Sequence, residues 1–116
     1  GEAEAAVARL EQRLSAHPFA APEAEDLTAL RLGPRELAAA ERAGRLLRLA
    51  EGVVVLPKTP ALAMRQLAAL PQPFTTSEAR HALNTTRRVA IPLLELLDAR
   101  GWTRRLDGTR RAVVRR

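Results

Sequence analysis

The helix signals, turn dipeptides and chain breakers of residues 1–57 recur in the same order in residues 58–116, and this correspondence limits the possible folds more than any other feature. At an offset of about 55 residues, His17-Pro18-Phe19 falls near Gln72-Pro73-Phe74, Gly44 near Gly101, and Glu51-Gly52 near Asp107-Gly108. The pattern is that of a tandem duplication. Each copy is close to the size at which a domain folds alone but marginally, about 55 to 65 residues.

Within the first copy, Val7, Leu10 and Leu14 recur at helical spacing through residues 3–16, and the segment HPF at 17–19 stops the run. Pro22, at a first helical position, opens PEAEDLTALRL with Leu27 and Leu30 inward, and Gly33-Pro34 closes it and opens a third helix, PRELAAAERAG. The stretch LLRLAEGVVVLP then reads as a β-hairpin turning tightly at Glu51-Gly52. In the second copy Thr59-Pro60 starts a helix to about Leu70, and LPQPF interrupts it. Thr75 and Glu78 stand in the N-cap to N3 relation of a capping box, with Ala79, Ala82 and Leu83 facing the core. Asn84 suits a left-handed helix end and Thr85 the next N-cap, after which Val89, Leu93, Leu96 and Leu97 form a buried stripe up to Gly101. The last segment, WTRRLDGTRRAVV, centres on Asp107-Gly108, a dipeptide that favours a two-residue hairpin turn.

Three helices followed by a hairpin, with the second and third helices forming a helix-turn-helix, is the winged-helix plan. The expected fold is therefore mainly α with small β-hairpins (α+β), as two winged-helix domains over 1–57 and 58–116 joined through LPKTPAL. No apolar run approaches the roughly 20 residues of a membrane span. With no Cys and only two isolated His residues, disulfides, thiolate sites and a His-built metal centre are not expected.

Charge separates the copies. Residues 1–58 hold 8 basic against 9 acidic side chains, net −1, and residues 59–116 hold 11 against 4, net +7, which together make the +6 of the chain. Such asymmetry points the second copy at a polyanion. Its third helix opens with Arg87 and Arg88, unfavourable beside the positive end of the helix dipole unless an anion joins them, and Pro92 in its second turn lacks the N–H that Arg88 would receive. With Asp107-Gly108 as a two-residue loop, Arg105 lies opposite Arg110, Arg104 opposite Arg111 and Trp102 opposite Val113. Like charges so placed repel, yet suit a strand pair beside phosphates. The bland reading is a solvated, charged edge that blocks aggregation. The candidate binding residues are Arg80, Thr85, Thr86, Arg87, Arg88, Arg104, Arg105 and Arg110. Trp102, Phe19 and Phe74 read as core, and His81 as an outer-face residue without catalytic neighbours. With no nucleophile elbow, phosphate loop or metal spacing, an enzyme is not expected from this chain. Aromatics at 3% are too few for a base-stacking sheet, leaving groove insertion into DNA or arginine-based recognition of structured RNA.

Residues 74–114, FTTSEARHALNTTRRVAIPLLELLDARGWTRRLDGTRRAVV, resemble the C-terminal winged-helix domain of the bacterial selenocysteine-specific translation elongation factor. The likeness is carried by Thr75, Glu78, Arg80, Thr86, Arg87, Arg88, Pro92, Leu93, Leu94, Glu95, Leu97, Asp98, Gly101, Thr103, Arg104, Arg105 and Arg110. Val89 departs from a frequent Tyr, and Thr86 and Arg88 from the commoner Ser and Lys. The resemblance implies a cytoplasmic, monomeric fragment that binds the mRNA hairpin directing selenocysteine insertion at UGA. The ribosome and selenocysteinyl-tRNA would be partners through the full-length factor, and GTP and Mg would belong to GTPase domains outside this chain. Residues 1–57 would then be a spacer or ribosome-facing domain. A winged-helix DNA-binding regulator and a protein-interaction winged helix are the alternatives.

Overall fold

The structure, a computed structural model, describes residues 1–115. The chain divides into two compact units, Gly1–Pro57 and the residues from Lys58 onward.

The first unit holds α1 (Glu2–Ala16), α2 (Ala24–Ala29), α3 (Pro34–Arg42) and the strands β1 (Leu47–Ala50) and β2 (Val53–Val55). Leu10, Leu14, Leu27, Leu32, Leu46 and Val54 form its core, so the helical stripe of α1 packs against the start and return of the hairpin. Ala50 faces Val53 across the Glu51-Gly52 turn, with Gly52 at φ 71. The expected start of α2 at Pro22 is two residues early. Glu23 is the N-cap, its N–H donating to Asp26 Oδ2 (2.9 Å), and Pro22 is buried ahead of it.

The second unit holds α4 (Thr59–Ala68), β3 (Phe74–Thr75), α5 (Thr76–Ala82), α6 (Arg87–Ala99), β4 (Thr103–Arg105) and β5 (Arg110–Val113). Ala63, Leu67, Phe74, Ala79, Leu83, Val89, Leu93, Leu94 and Leu97 are all buried. The helix expected to reach Leu70 ends at Ala68, because the Gln72 side-chain amide closes its last carbonyls, donating to Leu67 O and Leu70 O (2.9 Å each). Gln72 Oε1 also accepts from Val113 N (2.8 Å), tying that helix end to β5. The sequence held no sign of β3. The extended backbone of an N-cap residue leaves Phe74 and Thr75 free to pair with Arg111 and Arg110, giving an antiparallel sheet ordered β3-β5-β4.

Four helices end in the same way. The N–H groups of Arg31 and Leu32 close α2 on Thr28 O and Leu27 O, and those of Asn84 and Thr85 close α5 on His81 O and Arg80 O. Arg45 N closes α3 on Ala40 O, and Trp102 N closes α6 on Leu97 O. These are Schellman closures with a left-handed residue at the turn: Arg31, Asn84, Gly44 and Gly101. Their recurrence at matching places is the tandem repeat in backbone form. No helix among the described residues is long and apolar enough to cross a membrane, and no group of metal-binding side chains gathers there.

Candidate nucleic-acid interface

The structure sorts the sequence candidates into two groups, one on the turn from α5 into α6 and one on the hairpin of β4 and β5.

The turn is built by consecutive capping devices. Thr75 Oγ1 accepts from Glu78 N (3.0 Å) while Glu78 Oε1 accepts from Thr75 N (2.8 Å), which fixes the start of α5 as its sequence predicts. At the other end Thr85 N is consumed by Arg80 O (3.1 Å) in the Schellman closure, so Thr85 belongs to the exit of α5. The expected N-cap at Thr85 is corrected to Thr86, whose carbonyl accepts from Ala90 N (2.8 Å). Arg80, Thr85, Thr86, Arg87 and Arg88 therefore follow one another around a single tight corner. Thr86 and Arg87 are exposed, and Arg80, Thr85 and Arg88 are half-buried.

The mouth of α6 differs from its counterpart in the first unit. At α3 the Glu36 carboxylate turns back to accept from Gly33 N (3.0 Å), placing a negative charge at the positive end of the helix. At α6 the N-cap side chain makes no such bond, and the first turn carries no acidic residue. Pro92 stays inside an unbroken helix.

On the hairpin the expected register is wrong by one residue. Arg104 pairs with Ala112 and Arg105 with Arg111, while Thr103 rather than Trp102 faces Val113. The loop has three residues, not two, because Asp107 Oδ1 accepts from Thr109 N (3.0 Å), Thr109 Oγ1 (3.3 Å) and Arg110 N (2.9 Å) and so holds Thr109 inside the turn. These bonds and the Arg110 guanidinium pull the Asp107 carboxyl down to about 2; the Thr109 N–H is the largest cause.

A slip of one residue exchanges the faces of a strand. Thr103 and Arg111 lie on the face turned to α6, where Asp98 accepts from Thr103 Oγ1 (2.6 Å) and Arg111 Nε (3.0 Å). Arg111 is buried, and Arg111 Nη1 also reaches Thr76 Oγ1 (3.4 Å). Arg105 shares that side of the ribbon and folds its guanidinium onto Asp107 O (3.1 Å) and Gly108 O (3.0 Å). Arg104 and Arg110 share the other face. Arg110 pairs with Asp107 (2.9 Å), and Arg104 is exposed. The three wing candidates thus do not form one patch. Among the described residues, Arg87 and Arg104 enter no ion pair. Trp102, expected in the core, is half-buried with the Arg100 guanidinium 5.1 Å over its ring.

Comparison with known proteins agrees with this geometry. Residues 65–112, from within α4 to β5, match the family model for the winged helix of elongation factor SelB. No curated protein matches the chain. A crystal structure of the bacterial selenocysteine-specific elongation factor EF-Sec is similar over 95% of the chain, with a TM-score of 0.73 and 23% identity. The chain spans 18% of the length of that protein, and the likeness in fold covers both units. The matched segment contains the whole turn, β4 and all of β5 but Val113, so the second unit is similar to a winged helix of elongation factor SelB.

Proposed function

We propose that this chain is a portion of a selenocysteine-specific elongation factor and that its second unit grips the mRNA hairpin directing selenocysteine insertion at UGA. The observation that carries the reading is the uncapped mouth of α6, which presents exposed Arg87 beside Arg88 and Thr86 with no acidic residue in the turn, in a unit of net charge +8 counted from Lys58. Thr86, Arg87 and Arg88, with Arg80 and Thr85 on the preceding turn, hold phosphates and an exposed loop base. Arg104 holds flanking backbone from the outer face of the wing, and Arg105 and Arg110 reach that backbone by exchanging turn contacts for phosphate. The first unit, with its α3 mouth closed by Glu36, serves as a spacer or ribosome-facing domain.

In this reading the chain contributes binding and no catalysis. GTP and magnesium belong to other domains of the factor, and ribosome and selenocysteinyl-tRNA are met through the whole protein in the cytoplasm. The chain acts as a monomer.

The test is a gel-shift titration with an RNA hairpin taken from beside the UGA codon of a selenoprotein message, with duplex DNA as competitor. Arg87→Ala together with Arg88→Ala should abolish the shift while leaving the thermal melt in place. Unchanged affinity in the double variant, or preferential loss of the hairpin to duplex DNA, would falsify the assignment.

A further inference from the structure

The outer face of the wing carries more than the arginines described above. Val114 N donates to Trp102 O (3.0 Å) and Leu106 N to Arg110 O (2.9 Å), so the ladder of β4 and β5 runs one pair further at each end. Side chains alternate across a strand, which places Trp102 and Val114, Arg104 and Ala112, and Leu106 and Arg110 together on the face turned away from α6. Leu106 is 42% exposed and Val114 38%, and they are the exposed large apolar side chains of the described residues. Trp102, beside Val114, is half-buried, and the guanidinium lying over its ring belongs to exposed Arg100. Aromatic, apolar and cationic groups thus share one open surface.

The first unit closes the same place. Arg45 N ends α3 as Trp102 N ends α6, so Arg45 is the counterpart of Trp102. The Arg45 guanidinium is held on α1 by Glu4 and by Glu11 (2.6 Å). Val53, Val54 and Val55 of β2 are all buried, so both faces of that strand are covered. Where the first unit has an ion pair and a covered ribbon, the second has an indole left half-open.

We propose that the outer face of the wing is a stacking platform for an unpaired RNA base, which takes the place of the Arg100 guanidinium over Trp102. The class of ligand rests on the RNA-binding reading above, but the platform requires no particular hairpin. A cation–π contact at an exposed site is weaker than a base–aromatic stack, so a base displaces the guanidinium and leaves Arg100 to meet the phosphate of that nucleotide. Arg104 and Arg110 border the same face, and the one acid of the hairpin, Asp107, is occupied by the turn and by Arg110. Leu106 and Val114 offer apolar surface to sugars and base edges. Apolar area alone would suit a protein, whereas an aromatic plane edged by guanidinium groups suits a base carrying its phosphates. Such a platform reads no sequence, because every base has a π-face.

The chain has a single tryptophan, so its fluorescence reports on this face alone. The probes are the selenoprotein hairpin with blunt ends, the same hairpin with single-stranded tails of about eight uridines, and the uridine strand by itself. The tailed hairpin should quench Trp102, and in a gel shift it should bind about tenfold more weakly to Trp102→Ala while Trp102→Phe stays within about threefold of the parent chain. Quenching by the blunt hairpin would place the stacked base in its loop and uphold the platform. Shifts of both hairpins without quenching would overturn the platform and leave the hairpin reading standing. Quenching by the uridine strand without any hairpin shift would do the reverse. Neither shift nor quenching would overturn both and leave this face to a protein partner. The fluorescence of the parent chain decides the matter even where Trp102→Ala unfolds.

Discussion

Arg104 and Arg111 carry the same guanidinium on adjacent strands and end in opposite circumstances. Arg111 is 4% exposed and takes its charge partner from Asp98, whereas Arg104 is exposed and enters no ion pair among the described residues. Removing one partner of a buried pair leaves a charge stranded in low dielectric, which costs about 3 kcal/mol or more. Asp98→Ala should therefore lower the unfolding free energy by about 3 kcal/mol in a denaturant titration. Arg104→Ala should change stability by less than about 0.5 kcal/mol and weaken hairpin binding. Asp107 gives a pH dependence whose sign follows from its carboxyl being lowered from 3.8 to about 2. A carboxyl lowered by folding adds stability that is present above its unfolded value and is lost as the pH falls through the folded one. Melts followed from about pH 5 to about pH 2 should thus fall less steeply for Asp107→Asn than for the parent chain. In sequence all the wing arginines looked alike, because what separates them is whether an acid on another element reaches them.

At the scale of elements, caps and closures were the most legible features. The Thr75/Glu78 capping box, the left-handed Asn84 and the glycine ends at Gly44 and Gly101 all stand where local chemistry places them. Thr75→Ala should cost about 1 kcal/mol by opening that box, measured in a thermal melt. Arg31 is a case that sequence alone did not flag. It holds φ 56 at the exit of α2, where a side chain is strained and glycine is not. Arg31→Gly should raise stability by about 0.5 to 1 kcal/mol, and a lower melting temperature would show that its exposed contact with Glu2 outweighs the backbone strain. The misplaced N-cap has the same lesson. Thr85 and Thr86 are equivalent as isolated caps, and the choice fell to Thr86 because the Schellman closure of α5 reaches one residue past Asn84.

Over the whole molecule the decisive quantity is the partition of charge, near neutral through Lys58 and strongly positive after it. Phosphate binding by arginine releases counterions, so the logarithm of affinity should fall linearly with the logarithm of salt. Four engaged side chains, such as Arg80, Arg87, Arg88 and Arg104, give a slope of about −3, and the Arg87→Ala, Arg88→Ala pair should flatten it by about half. A slope near zero would point to a protein partner rather than RNA. The order of the helices, the left-handed helix exits at Asn84, Gly44 and Gly101 and this charge partition were legible in sequence, since each depends on residues within a few positions of one another or on composition, whereas the start of α2, the end of α4 and the N-cap of α6 were not. The register of the wing, the pairing of Phe74 and Thr75 with β5, the burial of Arg111 and the half-exposure of Trp102 were decided only in the folded chain. A hairpin that can turn on two residues or three is nearly degenerate locally, and the contact of Arg111 with Asp98, thirteen positions away, favours the register with three.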